Sequence, residues 1–234
     1  MSIRGIAFDL EGTVVDIEVV HYNSHLAAAA DFGCIISLEE AYTRLPHFIG
    51  GPTDKVCEDI VSLLNEDVRK RVAIQEVIAR DIFHYERQLA GMPIIPRPGF
   101  LDFCEKAQNL GLSLAIGSLT AQNQADIILE RSGLAALFHK QNIILREHVA
   151  ALKPAPDVFL KTASIMKVDP CEQLVFEDSP RGVKAAIAAG SIAIGMPVVI
   201  RGDTIGMLVD AGASRIFFDW REINLTALLN NLDQ

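Results

Sequence analysis

Near its amino terminus the chain runs Ile3-Arg4-Gly5-Ile6-Ala7-Phe8-Asp9-Leu10-Glu11-Gly12-Thr13. The apolar run is interrupted only by Arg4 and Gly5 and is too short for a helix, so its length predicts a buried strand. Asp9 and Glu11 stand two residues apart, and at an extended strand end their side chains share a direction. Carboxylates at the mouth of a buried strand are costly unless solvent or a ligand engages them. A solvated polar turn and a functional site both satisfy that requirement. Gly12 permits a sharp turn. A calcium loop of the EF-hand type is excluded, because its sixth position requires Gly and here is Val14.

Beyond this turn the pattern becomes helical. Asp16 reads as an N-cap, with Glu18 in the first turn of a helix that runs to Asp31 and stops at Gly33. Further helices are predicted over 38–45, 53–64 and 66–90, with a Gly- and Pro-rich loop over 46–52. In the last helix Ile74, Ile78, Ile82, Tyr85 and Leu89 predict one apolar stripe. Pro93, Pro96 and Pro98 mark a linker. After it strands predicted over 112–116, 142–145, 174–176, 191–194 and 216–218 alternate with helices. Alternation implies parallel pairing. The expectation is an α/β fold: a doubly wound, mainly parallel Rossmann-like sheet built from residues 1–16 and 96–234, with an all-helical unit, 17–95, inserted in it.

The net charge of −9 over 234 residues argues against a general nucleic-acid binder. It leaves room for a small phosphorylated substrate held by a local cluster of cations. No apolar run approaches the roughly 18 residues of a membrane span, and no secretory signal is evident. Cys34, Cys57, Cys104 and Cys171 are dispersed without a CxxC pair, which disfavours zinc and suits reduced thiols in a cytoplasmic protein. A monomer is favoured.

In doubly wound sheets ligands bind at the carboxyl ends of the strands. Four polar positions fall there: Asp9 with Glu11; Ser118 after Gly117; Lys153 in the turn Leu152-Lys153-Pro154-Ala155-Pro156; and Glu177-Asp178-Ser179. Each has an ordinary alternative. Ser118 could begin a turn, Lys153 could be an exposed loop lysine, and Asp178 could cap the helix starting near Pro180. Together they are complementary. Asp9, Asp178 and Glu177 offer hard oxygen ligands suited to Mg²⁺, and Ser118 and Lys153 can hold a phosphate.

These motifs resemble those of the haloacid dehalogenase superfamily, in the sugar-phosphate phosphatase and β-phosphoglucomutase-like branch, whose members carry an inserted helical cap. The resemblance rests on Asp9-Leu10-Glu11-Gly12-Thr13, Ser118, Lys153-Pro154-Ala155-Pro156-Asp157 and Glu177-Asp178-Ser179-Pro180-Arg181-Gly182. It implies that Asp9 is a nucleophile forming an aspartyl-phosphate, and that Ser118 and Lys153 bind the transferring phosphoryl group. Mg²⁺ would be held by Asp9, Asp178 and the backbone carbonyl of Glu11, with Glu177 close by. Most phosphatases of the family carry Asp where Glu11 stands. Glu keeps a carboxylic acid for proton transfer, one methylene further out. Gly50-Gly51-Pro52 resembles a substrate loop, and Arg44, His47 and Lys55 are candidates to read the substrate, as is Arg181. A phosphomutase, or a non-catalytic binder on the same scaffold, are the alternatives.

Overall fold

A computed structural model describes residues 2–232. The opening apolar run forms β1 (Gly5–Phe8), every residue of it buried. It lies between β2 (Ser113–Gly117) and β4 (Gln173–Glu177), with Ala7 opposite Ala115 on one side and Val175 on the other. With β3 (Ile143–Ile144), β5 (Ile192–Gly195) and β6 (Arg215–Ile216) the sheet has the order β3-β2-β1-β4-β5-β6, and every pairing is parallel. The chain builds outward from β1 to β3, then crosses back to start β4 on the other side of β1. The carboxyl ends of β1 and β4 therefore flank the switch point of the topology. The last strand covers Arg215–Ile216 rather than the predicted 216–218.

Packing explains why so short a run is a strand. On one face Phe8 meets Phe100 edge-on at 5.1 Å, Trp220 at 5.7 Å and stacks on Phe176 at 5.8 Å. On the other, Ala7, Ala115, Val175 and Ala193 leave room for Val158, Phe159 and Val183. Burying a side chain of the size of Phe8 contributes about 1.5–3 kcal/mol.

By its internal contacts the chain divides into two compact units, Met1–Asp16 with Pro93–Gln234, and Ile17–Met92. The second unit holds α1 (Glu18–Asp31), α2 (Leu38–Arg44), α3 (Thr53–Leu63), α4 (Glu66–Arg69) and α5 (Ile74–Gly91). Three expectations are corrected here. Asp16 does not cap α1; Ile17 holds that position and makes no side-chain bond. The predicted 66–90 helix is two helices. Asn65 caps the first by accepting from the Val68 amide at 2.9 Å, and Glu76 accepts the Ala73 amide at 3.0 Å to start the second. The Glu76 bond stabilises a break that periodicity alone does not register. Finally, the buried stripe of α5 is Val77, Asp81, Tyr85 and Leu89, whereas Ile82 is 41% exposed. Asp81 takes an inward position because His25 of α1 meets it, Nδ1 to Oδ1 at 2.6 Å.

The sheet unit adds α6 (Phe100–Asn109), α7 (Gln122–Arg131), α8 (Asp157–Met166), α9 (Pro180–Ala188), α10 (Gly202–Asp210) and α11 (Leu225–Leu232). Helix α10 has no counterpart in the sequence reading. All four cysteines are free, and burial pushes the Cys57 thiol up to about 12. Among the described residues no helix is long and apolar enough to cross a membrane.

Candidate active site

The turn after β1 is built by its own backbone. The Leu10 carbonyl accepts from the amides of Val14 at 3.1 Å and Val15 at 3.0 Å, while Asp9 donates its amide to Phe176 of β4 at 3.0 Å. Gly12 has a φ of +80°, and a Cβ there would lie 2.3 Å from Asp178 Oδ2. Glycine is required twice over: for the left-handed conformation and for the approach of that carboxylate. Thr13 Oγ1 donates to Asp178 Oδ1 at 3.3 Å. Arg97 then ties the turn to two other loops. Its guanidinium donates to the carbonyls of Gly12 at 2.8 Å, Met196 at 2.7 Å and Phe218 at 2.8 Å. Sequence reasoning passed over Arg97; its position between Pro96 and Pro98, in a linker otherwise poor in charge, was the available signal.

Lys153 is 6% exposed, so it is not a loop lysine in solvent. Its Nζ lies 2.5 Å from Asp9 Oδ1 and 2.5 Å from Glu177 Oε1, and donates to the Gly117 carbonyl at 3.2 Å. Glu177 Oε2 accepts from both the amide and the hydroxyl of Ser179 at 3.0 Å. Ser179, not Asp178, caps α9, accepting the Gly182 amide at 3.1 Å. Arg181 donates to the Lys153 carbonyl, so its side chain holds the lysine's loop. Burial works against the Lys153 charge, but the Asp9 and Glu177 carboxylates outweigh it and hold the ammonium above its ordinary value. Burial also pushes the Asp9 carboxyl up, to about 7; the charges of Glu177 and Glu11 add to that, and Lys153 opposes it. The arrangement is one buried cation shared by two buried carboxylates, a state stable only because each member has partners.

Ser118 and Glu11 are joined through a residue that sequence reasoning missed. The Ser118 and Thr120 hydroxyls are 2.8 Å apart, and Thr120 Oγ1 donates to Glu11 Oε1 at 2.5 Å. Ser118 and Thr120 are both buried, and the Ser118 amide is fixed to the Ile144 carbonyl of β3 at 2.9 Å. A second hydroxyl two residues after Ser118 was the only signal for Thr120.

Asp9, Glu11, Ser118, Lys153, Glu177 and Asp178 thus all stand at the carboxyl ends of β1, β2 and β4 or in the loops that follow β1, β3 and β4. The three remaining candidates belong to the helical unit, each beside an acid of that unit. Arg44 lies 3.9 Å from Glu40, His47 bonds Asp59 at 3.0 Å, and Lys55 bonds Glu58 at 2.7 Å. Among the described residues no group of three or more His, Cys, Asp or Glu side chains could hold a metal. The donors that Mg²⁺ favours are nevertheless at hand, since it takes one or two carboxylates and keeps several waters. The bare Cα of Gly12 leaves the Asp178 carboxylate a place beside the Asp9 turn that a Cβ would fill. The residues present fit the ion.

Comparison with known proteins identifies the family and the fold. A family model described as haloacid dehalogenase-like hydrolase matches residues 3–190. A fructose-1-phosphate phosphatase of Escherichia coli is 28% identical over 190 residues, covering 81% of this chain and 94% of that protein. A β-phosphoglucomutase of Bacillus subtilis is 27% identical over 204 residues, covering 82% and 83%. Among solved structures, a family IA haloacid dehalogenase hydrolase of Entamoeba histolytica superposes with a TM-score of 0.83 at 19% identity, covering 99% of this chain and 100% of that one.

Proposed function

Because the chain belongs to the haloacid dehalogenase-like hydrolase family, we propose that it is a Mg²⁺-dependent phosphatase of small phosphorylated metabolites, sugar phosphates in particular, acting through an aspartyl-phosphate on Asp9. The observation that carries this reading is the buried contact of Asp9 with Lys153 at 2.5 Å, at the carboxyl end of the central strand. It provides a carboxylate nucleophile beside a fixed positive charge, and phosphoryl transfer needs positioning and electrostatic stabilisation above all. The similarity to a fructose-1-phosphate phosphatase supports the substrate class.

In this reading an Asp9 carboxylate oxygen attacks phosphorus and the bond to the substrate's alkoxy oxygen breaks. Glu11 gives its proton to that departing oxygen. Glu11, now a base, takes a proton from water as the water attacks the phosphoryl phosphorus, and Asp9 leaves as a carboxylate. Splitting hydrolysis in two lowers each barrier. Lys153 offsets charge on the phosphoryl oxygens, and the Ser118 hydroxyl turns from Thr120 to donate a hydrogen bond to them. Asp9, Asp178 and the Glu11 carbonyl would hold Mg²⁺, which supplies further positive charge for the phosphoryl group when bound.

Phosphate release from a panel of sugar phosphates tests the reading. Wild type should turn over with Mg²⁺, lose activity to a chelator and regain it on adding the ion back, and Asp9→Asn should be inactive. Isomer interconversion with little phosphate release would instead select a phosphomutase, for which the β-phosphoglucomutase similarity speaks. Ligand binding without any turnover would refute both.

A further inference from the structure

We infer that Thr120 is a positioning residue for Glu11, anchoring the longer acid so that its carboxyl is held in one place for proton transfer. The inference rests on the phosphatase reading and adds to it a residue with no role in that reading. Glutamate has one more rotatable bond than aspartate, and a partly exposed Glu on a turn loses rotamer freedom only if something fixes it. Here the fixing group is specific. Thr120 Oγ1 reaches Glu11 Oε1 at 2.5 Å, and a bond to a carboxylate is among the stronger hydrogen bonds available.

Thr120 is suited to the task because it is itself immobile. It is buried, its hydroxyl lies 2.8 Å from that of Ser118, and its amide donates to Ser118 Oγ at 3.3 Å. Its branched Cβ restricts χ1 further. Ser118 follows β2 directly and is pinned by its amide to β3. A continuous path of bonds therefore runs from the sheet, through Ser118 and Thr120, to the Glu11 carboxyl. The same path joins the group assigned to the phosphoryl oxygens with the group assigned to the leaving oxygen. Their separation is then set by the sheet rather than by the Glu11 rotamer.

The test is a kinetic cycle with Thr120→Val, Thr120→Ser and Glu11→Asp on the best substrate of the panel. Thr120→Val keeps shape and removes the donor. It should lower kcat about 10–100-fold, the range for losing a charged hydrogen bond or misplacing a reacting group by about 1 Å, with KM little changed. Thr120→Ser restores the hydroxyl and should recover most of kcat, which also guards against a Thr120→Val protein that folds poorly. In the Glu11→Asp enzyme the carboxyl is one methylene shorter, and adding Thr120→Val should cost less than about threefold more, because the bond it removes is already lost. An undiminished kcat in Thr120→Val, or an equal loss whether Thr120→Val is made in the wild type or in the Glu11→Asp enzyme, overturns the anchoring role while leaving the phosphatase reading intact. A wild type that never releases phosphate overturns both.

Discussion

Replacing Gly182 by alanine separates two opposed expectations. Gly182 lies within α9, where Gly→Ala ordinarily stabilises a helix by about 1 kcal/mol. At this position a Cβ would stand 1.7 Å from Glu177 Oε1 and 1.8 Å from its Cδ. The Glu177 carboxyl must then retreat by about 2 Å to reach ordinary contact distance. It is 1% exposed and anchored by Lys153 at 2.5 Å and by the Ser179 amide and hydroxyl at 3.0 Å. Bonds to charged groups contribute about 1.5–3 kcal/mol each, so losing two costs about 3–6 kcal/mol. After the helix gain, Gly182→Ala should destabilise the sheet unit by about 2–5 kcal/mol. The chain has one tryptophan, Trp220, buried among Phe8, Phe100, Phe103 and Phe176 of that unit. Urea unfolding followed by its fluorescence should show a midpoint lower by on the order of 1–2 M. In a Glu177→Ala background the clash is gone, and the same substitution should raise stability. A midpoint for Gly182→Ala at or above wild type would refute the idea that Glu177 is held rigidly against α9.

Lys153→Met leaves Asp9 and Glu177 buried without their cation; it should abolish turnover and cost about 3–5 kcal/mol in the same urea assay, and a wild-type midpoint would show that the cluster contributes nothing to folding. In the helical unit, His25→Leu strands the buried Asp81 carboxyl and should cost about 1–3 kcal/mol there. Limited proteolysis, with cleavage mapped within residues 17–92, should then run faster than in wild type, and an unchanged rate would contradict the role given to the pair.

The elements that sequence alone discloses are those whose cause is local. The run that ends at Phe8 is short, mostly apolar and closed by a turn, and its residues Gly5–Phe8 form the buried strand β1. The polar residues of the candidate site were visible because four strand ends carried complementary chemistry. What escaped is non-local. Asp81 takes a core position because His25, 56 residues earlier, meets it, so apolar periodicity pointed to Ile78 and Ile82 instead. Thr120 gains importance only when β1 and β2 lie side by side and bring Glu11 within reach. Arg97 acts through three carbonyls drawn from three loops, which no spacing rule collects. The break between α4 and α5 is local, but its signal is one capping residue, Glu76, inside a stretch that otherwise reads as helix throughout.

The central claim is that Asp9 carries the phosphoryl group. Turnover of the best substrate, stopped with acid in the steady state, reduced with borohydride and mapped by peptide mass spectrometry, tests it directly. The account predicts that the Asp9 side chain is reduced to the alcohol in wild type, only when substrate is present, and that Asp9→Asn yields no such product. A wild type that releases phosphate while Asp9 is recovered unmodified and another side chain is reduced would contradict it.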